Sequence, residues 1–215
     1  MSATYPDLET YRRALFAPED EVLAKVMPEA VAEGLPKISV NAEAGQALNF
    51  LARAVGAKKI LEFGALAGYS GIWLARALPP GGKLVSLEVN PKHAEVTRAN
   101  FKRAGVADRA EVRLGQALEL LESAKADAPF DMAFIDADKE NYPKYLDFAL
   151  AHVRVGGIVC ADNANGHGHA HEVLPADDPR RGLQVYNERV TSDPRLVSVC
   201  LPFGGWLAVS LKVRE

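Results

Sequence analysis

Cysteine is scarce in this chain, with Cys160 and Cys200 the only two. Two thiols cannot build a disulfide framework or a cysteine-rich zinc site, and both sit inside apolar runs that read as buried strands. Long hydrophobic stretches are lacking too: no run approaches the roughly 18 apolar residues that span a bilayer. Met1 to Asp20 is polar and acidic, without an apolar segment behind a basic start. No leader peptide is therefore expected, and the cytoplasm is the default compartment. A surplus of positive charge is also missing. The formal charge of -3 argues against a nucleic-acid partner, which normally requires a basic stripe.

What the chain does hold is core-forming material. Hydrophobic residues make up 48% and charged residues 25% of 215 positions, enough for one α/β domain with a sizeable core. Residues 1–56 read as a helical N-terminal segment and 57–215 as an α/β core. The helical pattern is broken at Pro18, Pro28 and Gly34-Leu35-Pro36. Asn41 is a plausible N-cap for a helix carrying Ala44, Leu48, Leu51, Ala52 and Val55 on one face.

Beyond Gly56, short apolar runs alternate with helix-length amphipathic stretches. Strands are expected at Lys59–Phe63, Leu84–Leu87, Ala110–Leu114, Met132–Ile135 and Gly157–Ala161, with helices at Tyr69–Ala77, Pro91–Ala104, Ala117–Ala124 and Tyr142–His152. That alternation implies βαβ crossovers and a mostly parallel sheet with helices on both faces. Two closing runs, Leu196–Leu201 and Trp206–Val213, flank Pro202-Phe203-Gly204-Gly205 and predict an antiparallel hairpin at one edge. The fold class is α/β, with a Rossmann-like seven-stranded sheet.

Ligands of such sheets bind outside the carboxyl ends of the strands. Here those ends carry Glu62-Phe63-Gly64, Glu88, Gln116-Ala117, Asp136-Ala137-Asp138 and Asp162-Asn163. Four of the five bear a carboxylate, which suits a ligand with hydroxyls, a cation, or both. Gly64 and Gly68 permit a tight turn and close approach of a ligand to the backbone. The loop they bracket has an acid before it and no Lys or Arg within it, favouring a zwitterionic or cationic ligand over a phosphate. Glu88 can accept hydrogen bonds from a ribose diol, although Glu88-Val89-Asn90-Pro91 also resembles a solvated helix start. Asp136, Asp162 and Asn163 offer three hard oxygen donors for a magnesium-like ion; capping and turn formation are the ordinary uses of the same residues. Lys139 lies three residues beyond Asp136 and can act as a base near a metal, or serve only as a surface charge. His167, His169 and His171 alternate in a glycine-rich loop that reads as solvated rather than as a zinc site.

Phe134-Ile135-Asp136-Ala137-Asp138-Lys139-Glu140-Asn141-Tyr142, followed by Gly156-Gly157-Ile158-Val159-Cys160-Ala161-Asp162-Asn163, resembles the cation-dependent O-methyltransferases. That family holds the caffeoyl-coenzyme A and catechol O-methyltransferases. Leu61-Glu62-Phe63-Gly64 and Gly68-Tyr69-Ser70 strengthen the likeness, which runs from about Ile38 to Val213. The resemblance implies S-adenosylmethionine contacts at Val40, Glu62, Gly64, Ala65, Ser70, Glu88, Ala117, Asp136 and Asp138. It also implies metal ligands at Asp136, Asp162 and Asn163, with Lys139 as general base beside Asp136. The expected cation is Mg2+, with Mn2+ or Ca2+ as alternatives. The expected acceptor is a small vicinal-dihydroxy aromatic, with no nucleic-acid or membrane partner, and a homodimer is implied. RNA methylation, non-catalytic binding of S-adenosylmethionine and a nicotinamide oxidoreductase, the last disfavoured by the glycine spacing, are the rival readings. Ala65-Leu66-Ala67 replaces a more polar Thr-Phe-Thr-like loop of relatives, and Asn90 stands where an Asp is common. The His-containing loop and the Gly204-Gly205-Trp206 corner are unlike the plant coenzyme A enzymes, and these differences bear on the acceptor.

Overall fold

A computed structural model describes residues 4–215. The first three residues of the segment read for a leader lie outside it. Seven short apolar stretches form β1 (Lys59–Phe63), β2 (Lys83–Glu88), β3 (Ala110–Leu114), β4 (Phe130–Ile135), β5 (Val153–Ala161), β6 (Leu196–Leu201) and β7 (Leu207–Lys212). They make one sheet in the order β3-β2-β1-β4-β5-β7-β6. The first five are parallel, and β7 runs antiparallel to both β5 and β6. This is the mostly parallel sheet with a reversed C-terminal hairpin that the apolar runs predict.

Because parallel strands are joined by crossovers, both faces of the sheet must be covered. Adjacent β1 side chains serve opposite faces: Ile60 joins one buried cluster, while Leu61 and Phe63 join the other. The first cluster packs the sheet against α2 (Glu21–Ala32), α3 (Ala42–Ala54), α4 (Tyr69–Ala77) and α5 (Pro91–Arg103). The second packs it against α6 (Ala117–Ala124), α7 (Tyr142–His152) and α8 (Arg181–Ser192). The remaining helix, α1 (Leu8–Phe16), buries none of its residues.

Several details differ from the sequence expectations. Pro28 lies inside α2 and does not break it. A proline within a helix costs about 3 kcal/mol through the missing N–H and steric conflict. Burial of Leu23, Val26 and Ala30 on the same helix offsets that cost, at roughly 1.5–3 kcal/mol for each large side chain. Helix α8 was not among the expected elements; its buried Leu183, Tyr186 and Val190 recur at helical spacing. Cys200 is exposed on the edge strand, whereas Cys160 is buried as expected. Asn41 does cap α3, its side chain accepting from the Ala44 N–H at 2.9 Å.

Candidate active site

The topology creates a crevice. From β1 the chain proceeds outward through β2 and β3 on one side and through β4 and β5 on the other, so the connections diverge at the β1–β4 boundary. A cavity of about 700 Å3 opens at the carboxyl ends of these strands. Val40, Gly64, Ala65, Ser70, Glu88, Ala117, Asp136, Asp138, Lys139, Asp162 and Asn163 all line it. Of the residues that the family resemblance assigns to the donor, the metal or the base, Glu62 alone lies outside the lining.

Glu62 lies beneath the cavity, fully buried. Its carboxylate accepts from the Ser70 hydroxyl at 2.6 Å and from the Ser86 hydroxyl at 2.5 Å. Burial pushes its pKa up to about 7, against those two hydrogen bonds and with help from the Asp136 and Glu88 charges. The Glu62–Ser70 bond ties the end of β1 to the first turn of α4.

The loop between them turns on glycine. Gly64 has φ +89°, and a Cβ there would overlap the Asp136 carbonyl oxygen. Gly68, at φ +82°, caps α4 without any side-chain hydrogen bond. Glu88 holds this loop in shape: its Oε2 accepts from the N–H groups of Ala65 and Leu66 at 3.0 and 2.9 Å, and its Oε1 from Asn90 N–H at 2.9 Å. A carboxylate has about four acceptor positions, so these bonds leave room for one further donor from the cavity. Nδ1 of His93 is 3.6 Å from Oε1, and the His93 side chain also lines the cavity.

At the other end, β4 and β5 deliver Asp136 and Asp162 to the same space. Asp162 is 5% exposed. Burial raises its pKa well above the usual carboxylate range; the nearby Asp136 charge adds to the rise, while the Asn163 N–H and Lys139 oppose it. Nζ of Lys139 donates to Oδ1 of Asp136 at 2.8 Å and to the Tyr142 hydroxyl at 2.7 Å. Asp138 accepts from the Tyr145 hydroxyl at 2.5 Å and also from the Asn141 amide. Asn163 takes the left-handed backbone at φ +62°. The Gly204–Trp206 corner packs directly on it: the backbones of Ala164 and Asn165 bond to Trp206 and Gly205 at 3.0 and 3.1 Å, and a Cβ at Gly205 would strike the Asn163 amide.

Whether this end suits a divalent cation can be judged from its donors. Two carboxylates that repel one another and an amide share one cavity wall, and the second oxygen of Asp136 is not used by Lys139. Hard oxygens in that number, with space left for other ligands, fit a magnesium-like ion. Among the described residues no group of three or more His, Cys, Asp or Glu side chains forms a metal cluster. The trio here differs in that its third donor is an amide.

Comparison with known proteins decides the family. Residues 14–213 match the family model described as O-methyltransferase. The chain is 44% identical over 186 residues to a catechol O-methyltransferase of Mycobacterium tuberculosis, covering 85% of this chain and 84% of that protein. A catechol O-methyltransferase of Niastella koreensis is 36% identical over 203 residues, 94% of this chain and 92% of the relative. The solved O-methyltransferase of Bacillus cereus, in complex with SAH, superposes with a TM-score of 0.86 at 37% identity, covering 94% and 96% of the two chains. The chain belongs to the O-methyltransferase family. As a family member it is an enzyme that uses S-adenosylmethionine as methyl donor.

Against that family background, three groups stand out to which the sequence reading assigned no role: Ser86, Tyr142 and His93. Ser86 and Tyr142 act from inside strand and helix, where a buried polar residue looks like any core position. His93 and His167 line the cavity. His167 alone of its loop does so: His169 pairs with Glu172 at 2.9 Å, and His171 is exposed. The three histidines do not assemble into a zinc site.

Proposed function

We propose that this enzyme methylates one hydroxyl of a small vicinal-dihydroxy aromatic acceptor and depends on a divalent cation, with Mg2+ the first choice and Mn2+ or Ca2+ as alternatives. The observation that carries the reading is the meeting of Asp136, Asp162, Asn163 and Lys139 in one cavity with the glycine loop. Glu88 receives a ribose hydroxyl of S-adenosylmethionine in its remaining acceptor position, and the Ala117 backbone lies beside the adenine. Val40, Gly64, Ala65, Ser70, Asp136 and Asp138 surround the remainder, while Glu62 acts from below by fixing Ser70.

Asp136, Asp162 and Asn163 would hold the cation. When bound, it would supply Lewis-acid polarisation that lowers the pKa of an aromatic hydroxyl of the acceptor. Lys139 takes that hydroxyl's proton on Nζ. The acceptor oxygen then attacks the methyl carbon as the carbon–sulfur bond breaks, and both electrons of that bond stay on sulfur. Holding the two reactants in line contributes on the order of 7–11 kcal/mol.

A small aromatic diol also suits the size of the cavity. We further propose a cytoplasmic homodimer. The exposed apolar side chains of Leu8 and Phe16 on α1 support self-association, and the unpaired Cys160 and Cys200 are compatible with a reducing compartment. No helix among the described residues is long and apolar enough to cross a membrane.

The test is turnover of catechol-type diols by S-adenosylmethionine, with magnesium and then with chelator. Turnover that vanishes in chelator and returns on adding magnesium supports the reading; equal rates in both contradict it. Single-hydroxyl phenols are expected to be poor acceptors, because they cannot chelate.

A further inference from the structure

Tyr142 begins α7, three residues beyond Lys139, and is completely buried. It is not one of the residues that line the cavity. Its hydroxyl nevertheless sits between two parts of the site. It accepts from Nζ of Lys139 at 2.7 Å and donates to the backbone carbonyl of Asp162 at 3.3 Å. Because its proton goes to the carbonyl, the phenol oxygen is left to Lys139 as an acceptor only.

A neutral lysine amine has two N–H donors and one lone pair. Here two acceptors, Asp136 Oδ1 and the Tyr142 oxygen, are set around Nζ at 2.8 and 2.7 Å. When both N–H groups are so engaged, the lone pair is confined to the remaining tetrahedral position, and Lys139 itself lines the cavity. With only Asp136 as partner, rotation about the terminal carbon–nitrogen bond would carry the lone pair through several directions.

We infer that Tyr142 is a positioning residue, which orients the Lys139 amine toward the acceptor hydroxyl without touching either reactant. This rests on the reading of Lys139 as the base. The phenol is itself held firmly. The Tyr186 ring meets it edge-on, with centroids 5.8 Å apart at 77°, the preferred arrangement for aromatic pairs. The backbone below Lys139 is fixed too: Gly182 of α8 packs so closely on the Lys139 carbonyl that a Cβ there would overlap it.

The test is a double-mutant cycle read by kcat and KM, using Tyr142→Phe, Lys139→Met and the pair. Tyr142→Phe keeps the ring and removes only the hydroxyl. It is expected to lower kcat by about tenfold to a hundredfold, the scale of a small misplacement of a reacting group, with acceptor KM and S-adenosylhomocysteine affinity unchanged. In the Lys139→Met background the same change should alter kcat by less than about twofold, because there is no amine left to orient. Tyr186→Phe, which deletes a buried hydroxyl without any hydrogen-bond partner, controls for the loss of a buried polar atom and should retain wild-type kcat. An equal loss of kcat from Tyr142→Phe in both backgrounds would show a merely structural role and overturn the inference, as would no loss in the wild-type background. Wild-type turnover by Lys139→Met alone would instead remove the base assignment, and the positioning role with it.

Discussion

Glu62 and Glu88 stand near the carboxyl ends of neighbouring strands, Glu88 two residues further out, and their surroundings give them different tasks. Glu88 faces the cavity and receives three backbone N–H groups, whereas Glu62 is sealed beneath it by two serine hydroxyls. Glu88→Ala should therefore weaken S-adenosylmethionine binding by about tenfold to a hundredfold, the equivalent of losing one hydrogen bond to a charged group, as read by calorimetric titration. Unaltered affinity would remove the ribose role. For Glu62 the consequence is a pH dependence. Its pKa rises from 4.5 to about 7 on folding, so the fold favours the protonated acid. Its contribution is full below about pH 4.5, and is lost as pH rises through 7. That loss is about 3 kcal/mol between pH 4.5 and 8. Glu62→Gln has no such ionisation, so its stability by urea denaturation should fall less from pH 5 to pH 8 than that of the wild type. An identical fall in both proteins would mean that Glu62 ionises in the fold as easily as in water.

The elements that carry the site were largely legible in the sequence, because each is short, apolar and clearly punctuated. β1, β3 and β6, and helices α4, α6 and α7, have the bounds that periodicity predicts. β5 begins earlier than expected, at Val153, whereas the sequence reading starts it at Gly157. Within the sheet, Gly157 serves to let β5 pass close to the Asp131 carbonyl. That these residues share one crevice was legible because strand ends can be counted, whereas the roles proposed for them come from the family resemblance. What could not be read was any partner contributed from a distance. Tyr142 looks like a helix-start aromatic, Gly182 belongs to a helix with no expected outline, and Gly205 lies in a hairpin corner far along the chain from Asn163. Gly205→Ala tests that last connection. Its Cβ would force the Asn163 amide aside, so the variant should fold but lose at least about tenfold in magnesium affinity, with S-adenosylhomocysteine binding retained. Unchanged magnesium affinity would separate the corner from the cation site.

At the scale of the whole molecule, two apolar clusters hold the sheet from both faces and leave one end of it open. The site is therefore a wall of strand termini whose shape the core dictates, and ligand binding should feed back on the stability of the entire fold. S-adenosylhomocysteine at a hundred times its Kd should stabilise the protein by about 2.7 kcal/mol. For a chain of this size that is a rise in Tm of about 5–10 °C. The absence of any rise would mean that the cavity is not where the donor binds.

The central claim is that Asp136, Asp162 and Asn163 form a site for one divalent cation beside the donor. Mn2+ binding followed by electron paramagnetic resonance, with S-adenosylhomocysteine present, tests it most directly. The wild-type chain should bind one Mn2+ per molecule with displacement by Mg2+, and Asp162→Asn and Asp136→Asn should each weaken that binding at least tenfold while still taking up S-adenosylhomocysteine. Wild-type stoichiometry and affinity in both variants, or no Mn2+ bound by the wild type, would contradict it.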